Sequence, residues 1–360
     1  MNSFRELYRA ESLPVFQNRM YRTENDAKKC VKGDVILVQD METGLIFNKA
    51  FNTELAQYDT DYQNEQAVSQ LFREHLNDVS RVIIQHFHNS TLIEVGCGKG
   101  FFLEHLQRLG FKITGLDPTY EGLNPSVIKK YFSPELDLHA EGIVLRHVLE
   151  HIQDPVSFLA NIRESNAGGG KIYIEVPCFD WICHHRAWFD IFYEHVNYFL
   201  INDFNRVFGN VYEAGHIFGG QYIYVVADLA SLREPVYDEQ CYFEFQKDFL
   251  SPVTYFAERL RLSQTSGKIS VVWGGASKGV IFAIFMHRAG ATIDYVADIN
   301  PAKQGKYLPA TGLRVQQPEE LIKKLEKSTD IFVMNSNYLN EIKQLTNNRF
   351  NYITVDHEII

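Results

Sequence analysis

Residues 92–103, LIEVGCGKGFFL, constrain the fold more than any other stretch of the chain. An apolar run leads into Gly96, Gly98 and Gly100, and helix-forming residues follow. That order predicts a buried strand over Thr91–Val95, a tight glycine turn and the first turn of a helix. Gly96 permits the sharp turn, Gly98 lets a ligand approach the backbone, and Gly100 lets helix and strand pack. The helix N-terminus then presents unpaired N–H groups to the ligand. An acidic residue is expected at the end of the next strand, about 20 residues on. FKITGLD supplies Asp117, placed to accept hydrogen bonds from two ribose hydroxyls.

Further strands read at Lys112–Leu116, 142–145 and 171–176, with helices at 100–109 and Pro155–Ser165 between them. This alternation predicts an α/β fold with a doubly wound, Rossmann-like parallel sheet. Ligands bind beyond the carboxyl ends of such strands, so Asp117, residues 146–151 and the run from Pro177 should meet there. Residues 211–229 read as a closing strand pair, and a helix is expected over about 65–86. Two short strands flank a turn near residues 42–44, and a linking helix over 242–264 bends near Pro252. A second strand, glycine turn and helix begin at KISVVWGGASKG, and TIDYVADINP carries the matching acid, Asp298. The expected organisation is a small N-terminal domain over 1–75, a nucleotide-binding domain over 76–240, and a linking helix with a second Rossmann-like domain over 241–360. A chain of 360 residues is long for a single core.

A net charge of −10 argues against a nucleic-acid surface. No apolar run approaches a membrane span, and the mixed-charge N-terminus is unlike a signal peptide. The five cysteines are odd in number and never spaced C-x-x-C, which predicts reduced thiols and a cytoplasmic location. The expected assembly is a monomer or homodimer.

The acid before the first glycine, Glu94, chooses among nucleotide ligands. A carboxylate there suits a cationic amine and sulfonium and opposes a pyrophosphate. IEVGCGKG resembles motif I of the class I S-adenosylmethionine-dependent methyltransferases. The resemblance implies that Glu94, Gly96, Gly98, Gly100 and Asp117 hold S-adenosylmethionine. LRHVLEHIQDP, 145–155, is similar to the segment after the fourth strand of that family. It implies Arg146 and His147 near the methionine end, with His151 either facing substrate or merely packing. The same H-x-x-E-H spacing occurs in a class of zinc peptidases, but its place after a strand of a cofactor fold favours the methyltransferase.

Residues 175–199 are dense in aromatics and histidine, and Glu194-His195 pairs a base with an acid. EVP followed by YEHVNYF resembles the sugar C-methyltransferases, whose substrates are nucleotide-linked 4-keto-6-deoxy sugars. That match implies His195 as general base, supported by Glu194, forming an enolate that attacks the methyl group. The tyrosine these enzymes carry two residues before the glutamate is Phe192 here. Tyr193 is the hydroxyl one place displaced.

Residues 271–279, 297–315 and 335–342 are similar to that family's C-terminal domain, which implies closure over a nucleotide sugar, with Lys278 and Asn337 as substrate contacts. The turn 274–279 would cradle a diphosphate through backbone N–H groups, or serve packing alone. The family's zinc-binding C-x-x-C pairs are replaced, with Asp40 and Thr43 at the second, so no metal is expected. YDTDYQNEQ resembles the segment that caps the cofactor and faces the sugar, implying Tyr62 on the cofactor and Tyr58 and Asn64 on the substrate. An O- or N-methyltransferase and a non-catalytic binding module of the same fold remain the alternatives.

Overall fold

The computed structural model describes residues 3–56, 62 and 65–357. Tyr58 and Asn64 therefore lie outside the described residues. The central sheet contains β4 (Thr91–Val95), β5 (Lys112–Leu116), β6 (Val127–Ile128), β7 (Gly142–Arg146), β8 (Lys171–Pro177), β10 (Val211–Ile217) and β11 (Tyr222–Asp228). Its order is β10-β11-β8-β7-β4-β5-β6. The strands from β8 to β6 are parallel, while β11 runs antiparallel to both β8 and β10. β4 at the centre carries the glycine turn beyond its carboxyl end. The expected α/β doubly wound architecture is the one present.

Helix Gln70–Phe87 starts at Ser69, whose hydroxyl accepts from Phe72 N at 3.2 Å. This cap starts the helix five residues later than the apolar pattern predicts. Phe72, Leu76, Val79, Ile83 and Phe87 are buried at helical spacing. They pack against Leu92, Ile113 and Val144 of the central sheet. Each such side chain contributes about 2 kcal/mol of burial. The linking helix spans Ser251–Thr265 with Pro252 in its first turn. Proline there begins the helix and does not bend it, because the first turn has no N–H to lose.

The N-terminal sheet joins β1 (Phe4–Pro14), β2 (Lys32–Asp40), β3 (Ile46–Asn48) and β9 (Asn197–Tyr198). The sequence reading missed β1, whose pairing with β2 breaks register twice. β9 begins two residues after His195 and pairs Ile46 with Tyr198. At the place of the replaced second cysteine pair, Asp40 Oδ2 accepts from the Thr43 hydroxyl at 2.8 Å.

The third sheet has β12 (Ser270–Trp273), β13 (Tyr295–Ala297), β14 (Val315–Gln316), β15 (Asp330–Val333) and β16 (Asn351–Thr354), all parallel, in the order β14-β13-β12-β15-β16. It is tied to the rest of the chain at several points. Tyr21 N donates to Tyr307 O at 3.0 Å, and Tyr307 N to Tyr21 O at 2.8 Å. Glu341 accepts from the Ser69 hydroxyl at 2.7 Å and Leu71 N at 3.1 Å, so an acid of the third unit caps a helix of the second. Among the described residues no helix is long and apolar enough to cross a membrane.

Candidate active site

The glycine turn has left-handed backbone at Gly96 (φ 74°), Gly98 (φ 55°) and Gly100 (φ 79°). A Cβ on Gly96 would lie 2.5 Å from Val148 Cγ2, whereas one on Gly98 would meet nothing within 4 Å. The Gly98 face is therefore open. Asp117 Oδ2 accepts from Gly98 N at 2.9 Å, and its Oδ1 accepts from Thr119 N at 2.8 Å. Those bonds set the carboxylate against the turn. Glu94 is 3% exposed, and its Oε2 has no hydrogen-bond partner. Burial raises its pKa to about 7, with Arg146 opposing the rise and Asp117 adding to it. An unpartnered buried carboxylate is costly unless a cation meets it. The open glycine, the acid for a ribose and this orphan acid together fit a cationic nucleoside such as S-adenosylmethionine.

Arg146 is buried against Glu175, Nη2 to Oε1 at 3.1 Å, with its guanidinium 4.5 Å from the Phe102 ring centroid. Glu175 also accepts from His75 Nε2 at 3.0 Å and from the Tyr173 hydroxyl at 2.9 Å. His147 Nε2 lies 3.0 Å away, off the hydrogen-bonding direction. Burial alone would raise the Glu175 pKa, but Arg146, His75 and His147 hold it well below the usual carboxylate range. Burial would likewise lower His147, but Glu150 and Glu175 win and lift it to about 9. His147 is thus an imidazolium at neutral pH. The sequence reading passed over His75, Glu150 and Glu175. The available signal was a glutamate inside the apolar run IYIEVP, where only a paired acid is tolerated.

A cavity of about 250 Å³ opens at this strand edge and is lined from all three units. His195 and His151 face it together, ring centroids 5.1 Å apart, and Phe192 lies 4.0 Å from His195. The turn bearing His151 and the segment bearing His195 are locked by Val196 N to Glu150 O at 2.7 Å and His151 Nδ1 to Glu194 O at 2.9 Å. Burial, and then the charges of His151, His147 and Lys278, hold the His195 pKa well below its ordinary value. His195 is therefore neutral, the form a base requires. Glu150, His151 and His195 bring one ligating atom each within 4.8 Å of one another, the one such trio among the described residues.

Other expected residues are placed differently. The Glu194 carboxylate accepts from Gln17 N at 2.5 Å and from the Tyr62 hydroxyl at 2.8 Å, and it makes no hydrogen bond to His195. Its local task is to hold Tyr62. The Tyr193 hydroxyl accepts from Asn52 N at 2.8 Å, on the N-terminal side and off the cavity lining. A one-residue displacement from Phe192 turned that side chain to the other face. Asn337 Nδ2 donates to Phe218 O at 2.9 Å and clamps a turn, while Asn335 and Tyr338 line the cavity instead. Lys278 does line it, but its Nζ is paired with Asp190 at 2.9 Å and Gln221 at 3.1 Å.

The second glycine turn repeats the first in detail. Gly275 N donates to Asp298 Oδ2 at 2.9 Å, as Gly98 does to Asp117. Gly274 N donates to Ala297 O at 2.8 Å, as Gly96 does to Leu116. Both carboxylates thus occupy the ribose position of a Rossmann unit.

A profile described as a methyltransferase domain matches residues 61–211, and one described as a C-methyltransferase C-terminal domain matches residues 231–351. By these matches the chain carries an S-adenosylmethionine-dependent methyltransferase domain. S-adenosylmethionine is the cofactor of this methyltransferase. The C-methyltransferase NovU of Streptomyces niveus is 24% identical over 267 residues, covering 64% of this chain and 63% of that protein. The human mitochondrial ubiquinone biosynthesis O-methyltransferase is 30% identical over 101 residues, covering 23% of this chain and 27% of its own length. The methyltransferase chain thus spans about a quarter to two thirds of the curated relatives it matches. Among solved structures, the plantazolicin methyltransferase BpumL, in complex with a monoazolic desmethylPZN analog and SAH, aligns at a TM-score of 0.37 and 14% identity, over 48% of this chain and 88% of that one.

Proposed function

We propose that this methyltransferase transfers a methyl group to the carbon beside the ketone of a nucleotide-linked keto-deoxy sugar. The observation that carries the reading is His195, buried and neutral in a cavity bounded by both the methyltransferase sheet and the second glycine turn. Carbon methylation needs a base at a C–H, and a neutral imidazole on the cavity wall meets that need. The C–H pair moves toward the carbonyl carbon, the carbonyl π pair moves to oxygen, and His195 takes the proton. S-adenosylmethionine, when bound, supplies the electrophilic methyl group. Glu94 and Asp117 would hold its cationic and ribose ends, and the second turn would face the nucleotide of the acceptor. The similarity to NovU supports carbon as the acceptor.

The match to ubiquinone O-methyltransferases, confined to about a quarter of the chain, favours an oxygen acceptor as the second reading. Incubation with S-adenosylmethionine and a panel of nucleotide-linked 4-keto-6-deoxy sugars, read by mass spectrometry, separates the two. A product heavier by one methylene with carbon attachment on fragmentation is expected. His195→Asn should then abolish proton exchange beside the ketone. Oxygen attachment, or exchange at the full rate in His195→Asn, overturns the carbon reading.

A further inference from the structure

Removal of a proton beside a ketone places negative charge on the former carbonyl oxygen, and a donor aimed at that oxygen stabilises it. Other candidate donors are committed elsewhere. The Tyr193 hydroxyl sits on Asn52, Tyr62 on Glu194, and Lys278 on Asp190 and Gln221. The hydroxyl of Tyr222 forms no hydrogen bond with the described residues, although Tyr222 lines the cavity.

Its position follows from topology. β11 runs antiparallel to β8, so its first residue pairs with Pro177, the last of β8, at the edge where ligands bind. The Tyr222 ring is held edge-on to His147 at 4.5 Å and stacked on Phe218 at 5.1 Å. A wedged ring presents its hydroxyl with little freedom to lose. Burial raises the phenol pKa well above its ordinary value, and the next-largest influences come from Tyr338 and Asp190, both on the cavity wall. The group therefore remains a donor throughout the working pH range. His147, charged beneath the ring, adds a positive field on the same side.

We infer that Tyr222 is a catalytic residue of this site, donating its phenolic hydrogen to the oxygen of the enolate that His195 generates. This rests on the carbon-methylation reading above. No proton leaves Tyr222: the substrate proton stays on His195, and the phenol shares its hydrogen with the oxyanion until the carbonyl reforms. The hydroxyl is left to a group that enters the cavity. The substrate oxygen is the partner it lacks.

The test is Tyr222→Phe in the full-length protein, with a thymidine-diphosphate 4-keto-6-deoxy sugar as probe in deuterated water. Deuterium incorporation beside the ketone is followed with S-adenosylhomocysteine bound. On the order of 100-fold slower exchange is expected, with an unchanged S-adenosylmethionine Kd and melting temperature as the sign that the fold and cofactor site are intact. Exchange in Tyr222→Phe at the wild-type rate overturns the role of Tyr222 and leaves the carbon reading standing. Absence of exchange in the wild-type protein, despite bound cofactor, overturns both.

Discussion

The Tyr62 hydroxyl donates to the buried carboxylate of Glu194 at 2.8 Å, joining the segment before the first long helix to the residue preceding His195. Burial raises the Glu194 pKa, and Tyr62 and the N–H of Gln17 offset part of that rise. The pair therefore ties Tyr62 to the turn that precedes the proposed base.

Tyr62→Phe should remove one charge-assisted hydrogen bond while leaving the ring. Destabilisation by about 1.5–3 kcal/mol is expected. Glu194→Gln should cost a similar amount, and the double variant less than the sum, giving a coupling energy of about 1 kcal/mol in denaturant unfolding. A coupling of zero would mean that the pair is not formed in solution.

The Glu94 carboxylate titrates near 7 in the free protein because burial outweighs Arg146. A cationic ligand binds the ionised form, so S-adenosylmethionine affinity should fall as pH drops below about 7. The fall approaches tenfold per pH unit once the acid is mostly protonated. Calorimetric titration from pH 5 to 8 measures this. Glu94→Gln should bind more weakly at pH 8 and show a flat profile. A wild-type profile as flat as that of the variant would place the cation elsewhere.

Two opposite shifts meet at Glu175. Its pKa is depressed below 4.5, so its stabilisation is complete above about 4.5 and is lost as pH falls through the folded value. His147 is raised from 6.5 to about 9, so its stabilisation is complete below about 6.5 and is lost as pH rises through about 9. The melting temperature should therefore be highest between about pH 4.5 and 6.5 and decline on both sides. His147→Gln should flatten the alkaline side specifically. An unchanged alkaline decline in that variant would remove His147 from the account.

Both Rossmann-like units were legible because their signals are local. A strand, a glycine turn and an acid recur within about thirty residues, so Gly96 and Asp117, and Gly274 and Asp298, announce themselves in one dimension. The cavity was legible only in part. His195 and Lys278 lie on it, but the partners of Glu194 come from residues 17 and 62, far away in the chain. Arg146 reads as a ligand contact until Glu175 is placed beside it, and strand register alone does that: Arg146 pairs with Glu175 across β7 and β8. Tyr193 and Asn337 lie off the cavity lining, because resemblance locates a segment while local backbone sets the facing of each side chain. β1 was hidden by irregular register, which breaks the alternation that marks a half-buried strand.

The glycines make the last distinction between folding and binding. A Cβ on Gly279 would lie 1.9 Å from the carbonyl oxygen of Gly274, a backbone atom that cannot rotate away. Alanine in a helix normally adds about 1 kcal/mol of stability over glycine. Here the sign should reverse, and Gly279→Ala should lower stability by about 1–3 kcal/mol. Gly98 presents the contrary case. Its added Cβ meets nothing within 4 Å, and only the left-handed backbone opposes the change, at about 1–2 kcal/mol. The vacant volume over Gly98 is where the cofactor would approach the chain. Gly98→Ala should therefore fold, melt a few degrees lower, and bind S-adenosylmethionine at least about tenfold more weakly, a loss of 1.4 kcal/mol or more. Thermal melting with and without S-adenosylmethionine reads both effects at once. If Gly98→Ala keeps the full ligand-induced shift, the cofactor does not pass over this turn.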